Sequence, residues 1–188
     1  METFLVSTLV VTVGEIGDKT QLLALMLAAR FRRPWPICAG ILFATLLNHG
    51  LAGLLGGWVR SVMDPDVLRW ALGISFLAIA AWAIKPDTLD EKDATPLGSY
   101  GVFAVTFAAF FLAEIGDKTQ AATIALAARY DSLIAVVGGT TLGMLIADVP
   151  AVLLGGQASL KLPFKAIRYV AAALFAIIGI AILAGFSI

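Results

Sequence analysis

The heptapeptide Glu-Ile-Gly-Asp-Lys-Thr-Gln occurs twice in this chain, at 15–21 and at 114–120, without a single difference. The offset of 99 positions holds without gaps far beyond the motif. Leu27-Ala28-Ala29-Arg30 falls on Leu126-Ala127-Ala128-Arg129, Gly40 on Gly139, Gly56-Gly57 on Gly155-Gly156, and Arg69-Trp70 on Arg168-Tyr169. A constant offset over such a length is the signature of internal duplication. The fold must therefore hold two copies of one unit, 1–86 and 99–188, joined by an acidic linker at 87–98.

Composition decides the solvent of those units. Apolar residues make up 60 % of the chain and charged residues only 14 %, whereas a soluble domain carries about 25 % charged residues. Six stretches, 4–29, 35–59, 67–84, 100–128, 133–155 and 164–186, come close to the roughly 20 apolar residues of a spanning helix. The expectation is an all-α membrane protein with six transmembrane helices. Three spans per unit is an odd number, so the second unit enters the membrane from the opposite side. That makes two inverted three-helix repeats, a plan many secondary transporters share.

Loop charges orient the chain. Arg30, Arg32, Arg33, Lys85, Lys92, Lys161, Lys165 and Arg168 fall on one side, and Arg60, Arg69 and Arg129 on the other. The positive-inside rule places the first group in the cytoplasm, with the linker, and both termini outside. Met1-Glu2-Thr3 gives neither a basic start nor a cleavage site, so the first span is read as part of the mature protein. Zero net charge points away from a nucleic-acid partner. Cys38, the single cysteine, allows neither an internal disulfide nor a thiolate metal cluster, and reads as a small buried hydrophobe.

The motif puts charge where lipid forbids it. On a continuous helix Glu15, Asp18 and Lys19 share one face, Gln21 extends it, and Glu114, Asp117, Lys118 and Gln120 repeat the pattern. Ionised groups near the bilayer centre cost roughly 3 kcal/mol each, so these side chains must face one another or a wet cavity. One reading is a pair of internal salt bridges, Glu15 with Lys19 and Glu114 with Lys118. The other is a binding site. Four carboxylates and two ammonium groups leave a charge that one divalent cation neutralises. Carboxylate and amide oxygens suit calcium, magnesium or manganese rather than zinc or copper.

Neighbouring residues leave alternatives open. Gly17 and Gly116 either let helices approach closely or let a helix unwind. Thr20 and Thr119 either add hydroxyl ligands or bond back to their own helix. In the second span of each unit, Asn48-His49 aligns with Ala147-Asp148. Asp148 is a carboxylate in an apolar span, two residues before Pro150, which frees the carbonyl of Ile146. It is either an ion or proton site or a buried, protonated acid. His49 reads as a packing histidine, and Met144 as either a soft ligand favouring manganese or simple packing.

With its duplicated Glu-x-Gly-Asp-Lys-Thr at 15–20 and 114–119, the chain resembles the six-span family catalogued as uncharacterised protein family 0016. The resemblance covers nearly the whole chain. It implies manganese and calcium transport in exchange for protons, on a three-plus-three plan similar to that of the lysine-exporter superfamily. It further implies a compact bacterial form in the plasma membrane, with manganese efflux as its task. The partners are then the lipid bilayer, metal ions and protons. The divalent cation, Mn2+ or Ca2+, is the cargo rather than a cofactor. In the resulting reading Glu15, Asp18, Glu114 and Asp117 supply the main oxygen ligands, with Gln21 and Gln120 as secondary candidates. Lys19 and Lys118 balance charge in the ion-free state. Two alternatives stand beside it, an exporter of amino acids or another small organic solute, and an intramembrane enzyme. The second is disfavoured because no histidine or serine nucleophile accompanies either motif.

Overall fold

The computed structural model describes residues 1–85, 101–154 and 163–186. Eight helices account for nearly all of them: α1 Glu2–Glu15, α2 Lys19–Phe31, α3 Pro34–Val62, α4 Pro65–Ala83, α5 Val102–Glu114, α6 Lys118–Arg129, α7 Leu133–Leu154 and α8 Phe164–Leu183. The linker at 87–98, with Lys92, and Lys161 lie outside the described residues. Four helices, α3, α4, α7 and α8, are long and apolar enough to cross a membrane.

The molecule buries a cluster of charged and polar groups within its apolar core and exposes large apolar side chains. Glu15, Asp18, Asn48, His49, Glu114, Asp117, Lys118 and Asp148 are buried, while Leu46, Leu51, Leu54, Trp58, Trp70, Ile74, Leu153, Val170 and Ile177 are exposed. A protein in water buries its charged groups rarely and exposes no apolar surface so continuous. Lipid is the solvent that this distribution fits.

Two of the expected spans are not single helices. The stretches 4–29 and 100–128 are each broken inside the motif, between α1 and α2 and between α5 and α6. The reading of the motif as one continuous helical face is corrected accordingly. The cause is local. Asp18 N–H donates to the carbonyl of Glu15 at 2.9 Å, and Asp117 N–H to that of Glu114 at 3.1 Å. Between them Ile16 lies at φ −61°, ψ 117° and Ile115 at φ −63°, ψ 119°. Gly17 and Gly116 follow at φ +84° and +75°. This is the geometry of a type II turn, which requires a positive φ at its third residue and so selects glycine there. Of the two uses open to these glycines, the structure shows unwinding.

The halves pack by exchange. Helix α1 lies against α7, its counterpart α5 lies against α3, and α4 lies against α8. Close approach is built in at matching positions. A Cβ on Gly40 would meet the Thr106 side chain at 2.7 Å, and one on Gly139 would meet the carbonyl of Phe4 at 2.5 Å. Apolar contacts close the rest, with Phe76 and Phe175 stacked at 6.4 Å between α4 and α8. This arrangement buries the acidic residues of both breaks, Glu15 and Asp18 with Glu114 and Asp117, while Ile115 of the second turn stays exposed.

Candidate cation site

Each break presents a glutamate on the last residue of one helix and an aspartate just before the next. The aspartates occupy N-cap positions without using their side chains as caps, so their carboxylates remain available for other contacts. The breaks from the two halves meet. Oxygens of Glu15, Glu114 and Asp117 all lie within 4.8 Å of one another, and all three residues are buried. One oxygen of Glu15 and one of Glu114 make no hydrogen bond among the described residues. Three carboxylates this close, in a buried setting, repel one another strongly unless a positive charge or protons stand between them.

Asp18 is held apart from this trio by Lys118, whose Nζ lies 2.6 Å from its carboxylate. Lys19 reaches Asp117 at 3.3 Å. The lysines thus pair across the two halves, not with the glutamates of their own motifs as the internal salt-bridge reading required. The threonine hydroxyls bond to carboxylates of their own motifs rather than back to their own helix backbone. Thr20 donates to Glu15 of its own motif. Thr119 donates to Glu114 at 3.0 Å and also lies 3.3 Å from Asp117. Each hydroxyl thereby fixes a carboxylate across the turn and leaves the other glutamate oxygen facing the centre.

The glutamines are engaged on both sides. Gln21 Oε1 accepts from Gly17 N–H at 2.9 Å, and its Nε2 donates to the carbonyl of Ala147 at 2.9 Å. Gln120 Oε1 accepts from Gly116 N–H at 2.8 Å, and its Nε2 donates to Asn48 Oδ1 at 2.9 Å. Asn48 is a partner that sequence reasoning aligned but assigned no task. Its signal was an amide in an apolar span, one residue before His49.

Two further groups border the carboxylates. His49 Nε2 is 3.8 Å from Glu114. Asp148 is fully buried on α7, and neither of its oxygens has a hydrogen-bond partner among the described residues. Pro150 sits inside α7, which continues past it to Leu154. Met144 packs in an apolar cluster with Val11, Leu23 and Phe110, so of its two readings the packing one fits.

The family whose description is Divalent cation/proton antiporter GDT1 matches residues 3–91 and 102–186. The chain belongs to this family. Among curated proteins, this GDT1-family antiporter is 50 % identical over 182 residues to one from Vibrio cholerae named "Putative manganese exporter". That match covers 96 % of the antiporter and 90 % of the relative. A GDT1-like protein of Synechocystis is 30 % identical over 195 residues, 92 % of each chain. A GDT1-like protein of rice is 28 % identical over 191 residues, 88 % of the antiporter and 67 % of the relative. No solved structure matches. The family is one of membrane transporters, which agrees with the resemblance carried by the duplicated motif.

Proposed function

We propose that this antiporter exports manganese across the bacterial plasma membrane in exchange for protons, with calcium as second substrate, through one site shared by its two halves. The observation that carries the proposal is the buried trio Glu15, Glu114 and Asp117, drawn from both motifs. A divalent cation replaces two charges' worth of repulsion with attraction, and hard oxygens at that separation are the donors such an ion takes. The preference for manganese over calcium rests on the name of the Vibrio relative, since the oxygen chemistry suits both.

In this reading the chain crosses the membrane six times as two inverted repeats, each broken helix pair counting as one span. Residues 1–86 form the first repeat and 99–188 the second. Arg60, Arg69 and Arg129 line one cavity of about 440 Å³ together with Gly185 and Phe186, which supports placing these arginines and the C-terminal end on one face. That face is the outer one, and both termini lie outside.

The cycle follows from the contacts. A cation entering the trio competes with Lys19 for Asp117. Asp18 joins the ligand set when Lys118 releases it, and the lysines take the aspartates back once the cation has left. Proton uptake by the carboxylates cancels the charges that hold the cation and lets it go. Asp148 is the reserve proton site beside Glu15 and Glu114. A carrier of organic solutes would need groups for both ends of its cargo, and a point cluster of carboxylates favours an ion instead.

Sealed proteoliposomes test this. Manganese uptake should accelerate under a pH gradient that drives protons outward, and manganese should compete at lower concentration than calcium. Glu15→Gln and Glu114→Gln should each abolish uptake in folded protein, and Asp148→Asn should weaken the response to the gradient. Normal uptake in either glutamate variant sinks the shared site, and uptake without counter-flow of protons sinks the exchange.

A further inference from the structure

The two motif glutamines end in identical side chains that do the same thing to their own turn and different things to the opposite half. On one side each accepts from the N–H of the positive-φ glycine. A backbone N–H can only donate, so the amide oxygen must lie there and the NH2 group must point away. On that far side Gln21 meets a main-chain carbonyl of α7, and Gln120 meets the side chain of Asn48 on α3. Both amides are thereby engaged at each end, with the oxygen turned toward its own turn by the glycine N–H and the NH2 group toward the opposite half. Asn48 Nδ2 is buried without a hydrogen-bond partner among the described residues.

We propose that Gln21 and Gln120 are positioning residues rather than cation ligands. Each ties the unwound turn of its own half to the inner helix of the other half, and so sets the spacing of the glutamate and aspartate on either side of that turn. The proposal rests on the shared cation site described above. It deepens that reading by giving the two halves a mechanical link beside the carboxylates. The link in the first half ends on a backbone carbonyl and moves only with α7. The link in the second half ends on a side chain with its own rotamers and tolerates movement of α3.

A double-mutant cycle tests it on the intact protein, purified in detergent and reconstituted. Hydrogen exchange reads the turns directly, independent of transport. Asn48→Leu removes one part-buried hydrogen bond and should speed exchange at 115–117 about fivefold, and Gln120→Met, which also removes the acceptor of Gly116 N–H, should speed it more. Exchange at 16–18 should stay the same in both. Gln21→Met should do the reverse. The pair Gln120→Met with Asn48→Leu should be no worse than Gln120→Met alone, because that change already removes the contact to Asn48. Manganese uptake should follow the same pattern, falling in maximal rate more than in half-saturating concentration. Asn48→Asp keeps an acceptor for Gln120 and should restore most of what Asn48→Leu loses, which separates the contact from mere folding. Independent, multiplying losses at 48 and 120 overturn the proposal, as does unchanged exchange at 115–117 in Asn48→Leu. Absence of manganese uptake in the unmutated protein would defeat the transport reading alone, since exchange still reports the link.

Discussion

Seven identical residues build two unequal half-sites. Asp117 joins the carboxylate trio, while its repeat mate Asp18 is drawn off by Lys118. The side chain of Lys118 is 5 % exposed and sits 2.6 Å from its partner, whereas that of Lys19 is 24 % exposed and sits at 3.3 Å. The difference cannot come from the motifs. It comes from what faces them, with Asn48 and His49 on α3 against Ala147 and Asp148 on α7. A histidine stands beside Glu114, and on α7 Asp148 is buried with neither oxygen hydrogen-bonded among the described residues. Duplication supplied two copies of a turn, and divergence of the second helices made one a tighter ion pair and the other a more open acid cluster.

The lysines offer the largest test of that contrast. Replacing Lys118 by Met removes the ammonium from a buried carboxylate, a change that costs about 3 kcal/mol or more. Replacing Lys19 by Met removes a longer contact from a partly hydrated ammonium, though to a carboxylate equally buried, and should cost less, about 2 kcal/mol. Thermal unfolding of the two variants in one detergent measures both. Equal losses would mean that the two ion pairs are equivalent and the asymmetry of burial has no energetic weight.

The aspartates come next. Asp117→Asn takes one charge from the trio and should weaken manganese binding about tenfold, on the order of one ordinary charge-assisted contact. Asp18→Asn should change binding by much less and turnover by more, because Asp18 is held by Lys118 until the cycle releases it. Equilibrium binding in detergent beside uptake rates in vesicles separates the two effects. Equal loss of affinity in both would make the site symmetric once occupied.

What could be read beforehand follows the range of the forces involved. The duplication, the apolar stretches and the clustering of acids are written in the order of the residues, and the helix boundaries of α3, α4, α7 and α8 fall close to the expected spans. The helix break was half legible. Glu-Ile-Gly-Asp has glycine where a type II turn needs it, yet apolar runs on both sides read equally well as one uninterrupted helix. The lysine pairing was not legible at all. Lys118 can reach Glu114 on its own helix face or Asp18 a hundred residues away, and only packing chooses between them. The same holds for Gln120 and Asn48, whose contact exists because α3 and α6 are neighbours.

The smallest effect sharpens the comparison most cleanly, because it isolates the backbone. A Cβ placed on Gly116 would meet no atom within 4 Å, so nothing but conformation opposes alanine there. At φ +75° an L-residue pays roughly 1–2 kcal/mol for the left-handed region. Asparagine visits that region more readily, and Gly116→Asn should recover roughly half of what Gly116→Ala loses. The same pair of changes at Gly17, φ +84°, carries the same intrinsic cost. Any excess at Gly17 then measures the tighter surroundings of the first turn, which is less exposed than the second and tied by Gln21 to the carbonyl of Ala147. Unfolding midpoints of the four variants give the answer. A first turn that tolerates alanine better than the second would reverse the assignment of which half is fixed and which can give.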